Sequence, residues 1–398
     1  MATVAVHNDA PDVMTRGQAV VMPTYARVPI ELVDGVGCRV TDATGREYLD
    51  FTSGIAVSTL GHRHPVVVEA LHRAAEGLLH VSNLYWTAPM VRLAERLTAA
   101  AGMDAAFFCN SGTEAVEAAL KLARRACPGR GVFVTFEGSF HGRTLGALSV
   151  TAQPKYQQPF APLVPEVRVL PVEDVDALAA VDGSVAAVIV EPIQGEGGVR
   201  PVHHEFLAAV RSRCDEVGAL LVFDEVQTGV GRTGSLYAYQ QLGVTPDVVT
   251  TAKGLAGGLP IGAVLARGVA ATALGPGDHG STFGGGPAVT SVACAVLEEV
   301  LRPGFLESVR DTGRRLRAGL DALAAHHHGV AAARGLGLIQ GLVLDGLAAS
   351  DVVAGCRERG MLVLSAGADV VRLLPPLIVG QSEVDDALAI LDRVLGAP

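Results

Sequence analysis

Lysine is almost missing from this chain. Of 31 basic residues among 398, only Lys121, Lys155 and Lys253 are lysines. Basic residues are also outnumbered: the net charge is −10 and the pI about 5.6, which argues against nucleic acid or an anionic membrane surface as partner. Cysteine is scarce. Cys38, Cys109, Cys127, Cys214, Cys294 and Cys356 lie far apart without a C-x-x-C pair, so they read as small buried hydrophobes of a reducing compartment. No apolar run is long enough to span a membrane, and the first residues lack the basic-then-apolar pattern of a secretion signal. The histidines give no metal site: His62/His64 and His203/His204 have the wrong spacing for two ligands on one helix face, and His326-His327-His328 reads as an exposed helix end. The expectation is a cytoplasmic, two-domain globular protein with ample core.

The surviving lysines are not equivalent. Lys121 follows Glu117 by four residues in a helical pattern, where an ordinary surface pair is expected. Lys155 sits in the turn-like Gln153-Pro154-Lys155-Tyr156. Lys253 follows the apolar run Asp247–Ala252 and is the only charge between Asp247 and Arg267. An amine held in apolar surroundings has a depressed pKa and becomes a nucleophile able to form a Schiff base. Arginine stays protonated and cannot do this.

The chain around that lysine alternates. A β-hairpin is expected over Cys38–Phe51 after a frayed start running to about Arg16, then helices at Pro65–Leu79 and Pro89–Ala101, each with proline in its first turn. Apolar runs at Ala105–Cys109, Gly131–Phe136, Ala186–Glu191, Ala219–Asp224, Asp247–Ala252 and Ile261–Ala266, separated by helices such as Gly112–Ala126, predict a largely parallel sheet covered on both faces. The last third reads α+β, with helices at about Pro287–Leu301, Phe305–Ala325 and Ser382–Leu395 and strands near Leu338–Leu344, Met361–Leu364 and Val371–Leu374.

Several residues fit a pyridoxal phosphate site around Lys253. Asp224 ends a strand, 29 residues before Lys253, and a carboxylate there suits a protonated pyridine nitrogen; alone it is as readily a helix cap. Cys109-Asn110-Ser111-Gly112-Thr113-Glu114 joins a strand to a helix, and its free N–H groups suit a phosphate, though a plain N-cap gives the same pattern. Phe140 suits stacking on a planar ring and Arg143 clamping a carboxylate; a core aromatic and a surface arginine remain the alternative. Arg372 stands in an apolar run, where a charge is costly unless paired or bound to an anion. The run Gly229-Val230-Gly231-Arg232-Thr233-Gly234 matches G-x-G-x-x-G, but Asp224 to Thr228 separate it from the strand and no helical pattern opens at Gly234, so a dinucleotide site is rejected. Gly335-Leu336-Gly337 fails likewise.

The chain resembles class III (subgroup II) aminotransferases of PLP fold type I, acetylornithine aminotransferases above all, from about Met22 to its end. Ser53–Val57 with Leu60-Gly61-His62, Asn110–Ala115, Gly138–Thr144, Glu191–Glu196, Asp224–Gly229, Thr251–Gly254, His279–Gly285 and the Arg372 segment carry the likeness. It implies a large domain with a mostly parallel seven-stranded sheet over residues 59–286 and a small α+β domain built from 1–58 and 287–398. It also implies a homodimer with shared active sites. By resemblance, Lys253 bonds the cofactor and shuttles the proton, Asp224 pairs with the pyridinium, Val226 packs behind the ring and Gln227 meets its 3-oxygen. Ser111, Gly112 and Thr113 contact the phosphate, Thr282 reaches the neighbouring subunit's phosphate, and Phe140 covers the ring. Arg372 then binds the α-carboxylate of glutamate or 2-oxoglutarate, and Arg143, with Tyr25 nearby, the distal carboxylate. Glu196 pairs with Arg372 when the amine brings no carboxylate there. Gly286, Val116 and Ser58 stand where the family usually has asparagine.

The expected reaction is transfer of the terminal amino group of N²-acetylornithine to 2-oxoglutarate, in arginine biosynthesis. Rival substrates are succinylornithine, ornithine, 4-aminobutyrate or a specialised-pathway amine. Rival classes are a decarboxylase or aminomutase on the same cofactor and a silent PLP-binding protein.

Overall fold

A computed structural model describes residues 12–396. Most of the expected frayed start lies outside these residues, and from Val13 onward the expectation is corrected. Helix Val13–Val20 forms there, because Asp12 caps it by accepting from the Thr15 N–H at 3.0 Å. Strands Leu32–Val36, Arg39–Asp42 and Glu47–Asp50 follow as an antiparallel meander. The turn between the last two is built by Asp42, which accepts from the Thr44 and Arg46 N–H groups at 2.9 and 3.0 Å. This small sheet takes its fourth strand, Met361–Leu362, from the far end of the chain, parallel to Glu47–Asp50.

The central sheet has seven strands, in the order Ala105–Cys109, Gly262–Ala266, Val248–Thr251, Leu220–Asp224, Val185–Val190, Val132–Phe136 and Val167–Leu170. Only Gly262–Ala266 runs antiparallel to its neighbours. The central strands are buried along their whole length, as expected of a sheet covered on both faces. Helix Gly112–Ala126 lies on one of those faces, burying Ala115, Val116, Ala119, Leu122 and Ala123. Val167–Leu170 is a partly exposed edge strand interrupted by Arg168, so it never forms an apolar run.

After helices Pro287–Val300 and Phe305–His326, a second four-stranded sheet forms in the order Val330–Leu336, Ile339–Leu344, Val370–Leu373, Leu364–Ser365. Arg372 lies on its Val370–Leu373 strand, opposite Gly341. The alanine-rich strand Val330–Leu336 was absent from the sequence expectation. Five parallel strands therefore end, at Cys109, Phe136, Val190, Asp224 and Thr251, just before the motifs singled out above. The carboxyl edge of such a sheet is where ligands bind.

Candidate active site

Those strand ends enclose a cavity of about 420 Å³ lined by Ser111, Gly112, Thr113, Phe140, Arg143, Glu196, Asp224, Val226, Gln227 and Lys253, all expected site residues. Lys253 sits where strand Val248–Thr251 gives way to a 3-10 turn, with φ of +37°, a conformation that a non-glycine residue keeps only when its neighbours fix it. Thr59 does so from outside, donating its hydroxyl to the Gly254 carbonyl at 2.9 Å. Burial lowers the Lys253 amine below its usual range, while the Asp224 and Glu196 carboxylates pull it back up.

Asp224 is buried and fully engaged. Its Oδ1 accepts from the Val226 N–H at 3.0 Å and the Thr250 hydroxyl at 3.1 Å, and its Oδ2 lies 2.7 Å from His141 Nδ1. Burial is the largest single influence on His141 and works against its charge, but the Asp224 hydrogen bond and the Asp224 and Glu191 charges together overcome it and the histidine is raised. Its Nε2 is buried without a partner among the described residues. Glu191, which accepts from the Phe140 N–H at 3.1 Å, is pushed up to about 8 by burial, against the pull of His141 and with the push of Asp224. Glu191 is thus held toward its protonated form at neutral pH. Neither His141 nor Glu191 was given a role from the sequence. The one available signal was that Glu191 closes a strand-like apolar run, since a buried histidine cannot be told from a surface one by pattern.

At the other side, Arg372 donates to Glu196 at 2.6 Å and to the Gln227 amide oxygen at 3.1 Å, while its Nε has no partner among the described residues. A buried guanidinium with an unused donor is poised for a further anion. Arg143 lines the cavity without an ion pair among the described residues, its guanidinium lying over the Tyr156 ring at 3.7 Å and near Phe140 at 5.5 Å. Two expected residues stand elsewhere in this single chain: Tyr25 and Thr282 are exposed and outside the cavity lining.

The Ser111 segment does both things considered for it. Ser111 caps helix Gly112–Ala126, accepting from the Glu114 N–H at 3.3 Å, and Gly112 and Thr113, whose first-turn N–H groups have no intrahelical acceptor, both line the cavity. A Cβ on Gly112 would lie 2.7 Å from Val226 Cγ1, and one on Gly142 would strike the Thr113 hydroxyl. The Glu117–Lys121 pair does not form. Glu117 instead accepts from the Gly146 and Ala147 N–H groups at 2.9 and 3.1 Å, satisfying a short helix's N-terminus, and Lys121 donates to the Asp278 carbonyl at 2.9 Å. Val116 is buried in an apolar cluster, and Gly286 has an ordinary backbone at the start of helix Pro287–Val300; nothing else explains the departures at 58, 116 and 286.

These features fit pyridoxal phosphate: a lysine with depressed basicity, a fully hydrogen-bonded carboxylate, free N–H groups at a helix start, and a cradle narrowed by glycine. When bound, the cofactor supplies a carbonyl for a Schiff base and a protonated ring that accepts electron density. Lys253 would hold it covalently and Asp224 at the ring nitrogen, with Gly112 and Thr113 at its phosphate.

Residues 20–395 match the family model Aminotransferase class-III. The chain is 50% identical over 392 residues to the acetylornithine aminotransferase of Thermosynechococcus vestitus, covering 94% of this chain and 95% of that one. It is 51% identical over 391 residues to the acetylornithine aminotransferase of Mycobacterium tuberculosis, covering 96% and 97%. Among solved structures, an ornithine aminotransferase from Toxoplasma gondii with PLP at partial occupancy matches with a TM-score of 0.92 at 32% identity, covering 96% of this chain and 93% of that chain.

Proposed function

This chain belongs to the class-III aminotransferase family and is a PLP-dependent aminotransferase, and from that premise we propose that it moves the terminal amino group of N²-acetylornithine to 2-oxoglutarate. The products are N-acetylglutamate semialdehyde and glutamate, and the pathway served is arginine biosynthesis. The observation that carries the reading is a cavity with two arginines in different states: Arg372 masked by Glu196 at 2.6 Å, and Arg143 unpaired. Such a site takes two substrates in turn. A donor amine with one carboxylate is anchored at Arg143 while Glu196 keeps Arg372 neutralised. A dicarboxylic acceptor displaces Glu196 and uses both arginines. An arginine left unpaired in that interior would be costly, which is why a mobile carboxylate belongs there.

The chain's own groups do the rest. The lowered basicity of Lys253 favours the neutral amine, the form able to take a proton from the substrate carbon and return it elsewhere. Asp224, fixed by Val226, Thr250 and His141, would hold the cofactor's ring nitrogen.

We read residues 1–58 and 287–398 as one small domain beside a large one over 59–286. The assembly is a homodimer. Leu84, Tyr85, Trp86 and Phe283 are exposed large apolar side chains, and Asn83 ties their two segments together by donating to the Ser281 and Gly284 carbonyls at 2.9 Å. Thr282, on that surface, is available to a partner's site. Six buried free thiols fit a cytoplasmic location.

The test is steady-state turnover with 2-oxoglutarate and a donor panel of N²-acetylornithine, N²-succinylornithine, ornithine and 4-aminobutyrate. N²-acetylornithine is expected to give the highest kcat/KM; preference for ornithine or 4-aminobutyrate by tenfold or more, on the order of 1.4 kcal/mol, would overturn the substrate.

A further inference from the structure

We propose that Arg232, in the glycine motif rejected as a dinucleotide site, is a positioning residue that sets Arg372 for the dicarboxylic acceptor. The side chain is 2% exposed and makes no ion pair among the described residues. Its guanidinium donates instead to two carbonyls, those of Leu338 at 3.1 Å and of Pro375. Leu338 immediately precedes strand Ile339–Leu344, and Pro375 lies two residues past strand Val370–Leu373. The strands are antiparallel neighbours, with Gly341 opposite Arg372. One buried cation therefore clamps both strands at the end from which Arg372 meets Glu196.

The backbone around Arg232 is fitted to the same contact. The Leu338 N–H donates to the Arg232 carbonyl at 2.9 Å. Gly337 has φ of +57°, and a Cβ there would lie 2.7 Å from that carbonyl. Gly231, at φ of +90°, would bring a Cβ to 3.0 Å from Leu377 and Val300 side chains. The glycines thus let the loop dock against the C-terminal sheet, and the arginine between them makes the polar connection. Across Pro375, Leu374 is held as well: its N–H donates to the Phe51 carbonyl at 2.7 Å and its own carbonyl accepts from the Ser53 hydroxyl at 2.6 Å. The short segment after Arg372 is thereby fixed on both sides. Burial presses the Arg232 guanidinium below its usual range, with Asp50 pulling the other way. A charge kept in such a place for packing alone would be replaceable by an apolar side chain at little cost. A charge kept to hold two carbonyls in register would not.

The proposal rests on the reading in which Arg372 meets 2-oxoglutarate and is idle toward the amine donor, so it predicts an asymmetry between half-reactions. In the holoenzyme, Arg232→Lys and Arg232→Met are compared with wild type by stopped-flow absorbance of the cofactor. N²-acetylornithine is mixed with the oxidised-carbonyl form, and 2-oxoglutarate with the aminated form. Misplacement of a binding group by about 1 Å costs up to about a hundredfold, so the 2-oxoglutarate half-reaction should lose at least about tenfold in kcat/KM, chiefly through KM, with Arg232→Lys the milder. The donor half-reaction should stay within about twofold. The thermal shift that 2-oxoglutarate gives the aminated enzyme should shrink in parallel, a readout independent of turnover. Equal losses in both half-reactions, or none in either, would overturn the proposal; Arg232→Lys decides if Arg232→Met does not fold. Arg372→Lys is the control. If that variant leaves the 2-oxoglutarate half-reaction unchanged, the assignment of Arg372 itself fails and the positioning role falls with it, an outcome distinct from failure at Arg232 alone.

Discussion

Replacing Glu191 by glutamine should make the apoprotein more stable at alkaline pH and leave it nearly unchanged at acid pH. The carboxyl is buried and pushed up from 4.5 to about 8. An acid whose folded-state pKa is raised binds more protons folded than unfolded between those values, so stability falls as pH rises through them. At about 1.4 kcal/mol per pH unit, the full penalty is on the order of 4–5 kcal/mol, of which roughly 3 kcal/mol falls between about pH 5.5 and about pH 9. Glutamine keeps an oxygen to accept from the Phe140 N–H and never ionises, so it removes the penalty without removing the bond. Glu225, buried and raised to about 7, adds a similar slope to both proteins and cancels in the difference. Urea unfolding of both apoproteins across this range supplies the test. The difference in unfolding free energy should open toward alkaline pH in favour of Glu191→Gln. A flat difference, or one favouring wild type as pH rises, would show that Glu191 is ionised in the fold and refute the reasoning.

Two further outcomes follow from the same geometry. Glu196→Ala frees Arg372 from a charge-assisted hydrogen bond worth about 1.5–3 kcal/mol, so 2-oxoglutarate should bind roughly ten- to hundredfold more tightly while the acetylornithine half-reaction slows; half-reaction titration separates the two. Gly112→Ala places a Cβ 2.7 Å from Val226 Cγ1. Overpacking of that kind costs about 1–3 kcal/mol, and a titration of apoprotein with pyridoxal phosphate should show weaker affinity of roughly tenfold or more.

Much of this architecture was legible in the residues. Helix Gly112–Ala126 fell where its spacing and its Ser111 cap placed it, and the buried strands ended at the motifs because continuous apolar runs stop where polar site residues begin. Lys253 and Asp224 were found because a lone lysine and a strand-ending aspartate carry local signals. Strands Val167–Leu170 and Val330–Leu336 were missed, since an edge strand with an arginine and an alanine-rich strand both lack an apolar pattern. The Glu117–Lys121 expectation failed because helical spacing says which residues can meet, not which partners outbid them; backbone N–H groups of a neighbouring helix did. Arg232 was hidden for a deeper reason. Its partners are carbonyls more than 100 residues away, and no sequence pattern marks a backbone acceptor.

The central claim is that Lys253 holds pyridoxal phosphate covalently in an aminotransferase that takes its amine from N²-acetylornithine. Its most direct test is the visible spectrum of the purified holoenzyme, followed by N²-acetylornithine and then 2-oxoglutarate in one cuvette, with Lys253→Ala alongside. The wild-type protein should show the band of a lysine-bound cofactor, lose it to the donor and recover it with the keto acid, while the variant shows none of these changes. A wild-type band that ignores N²-acetylornithine, or a variant that still cycles, would contradict the account.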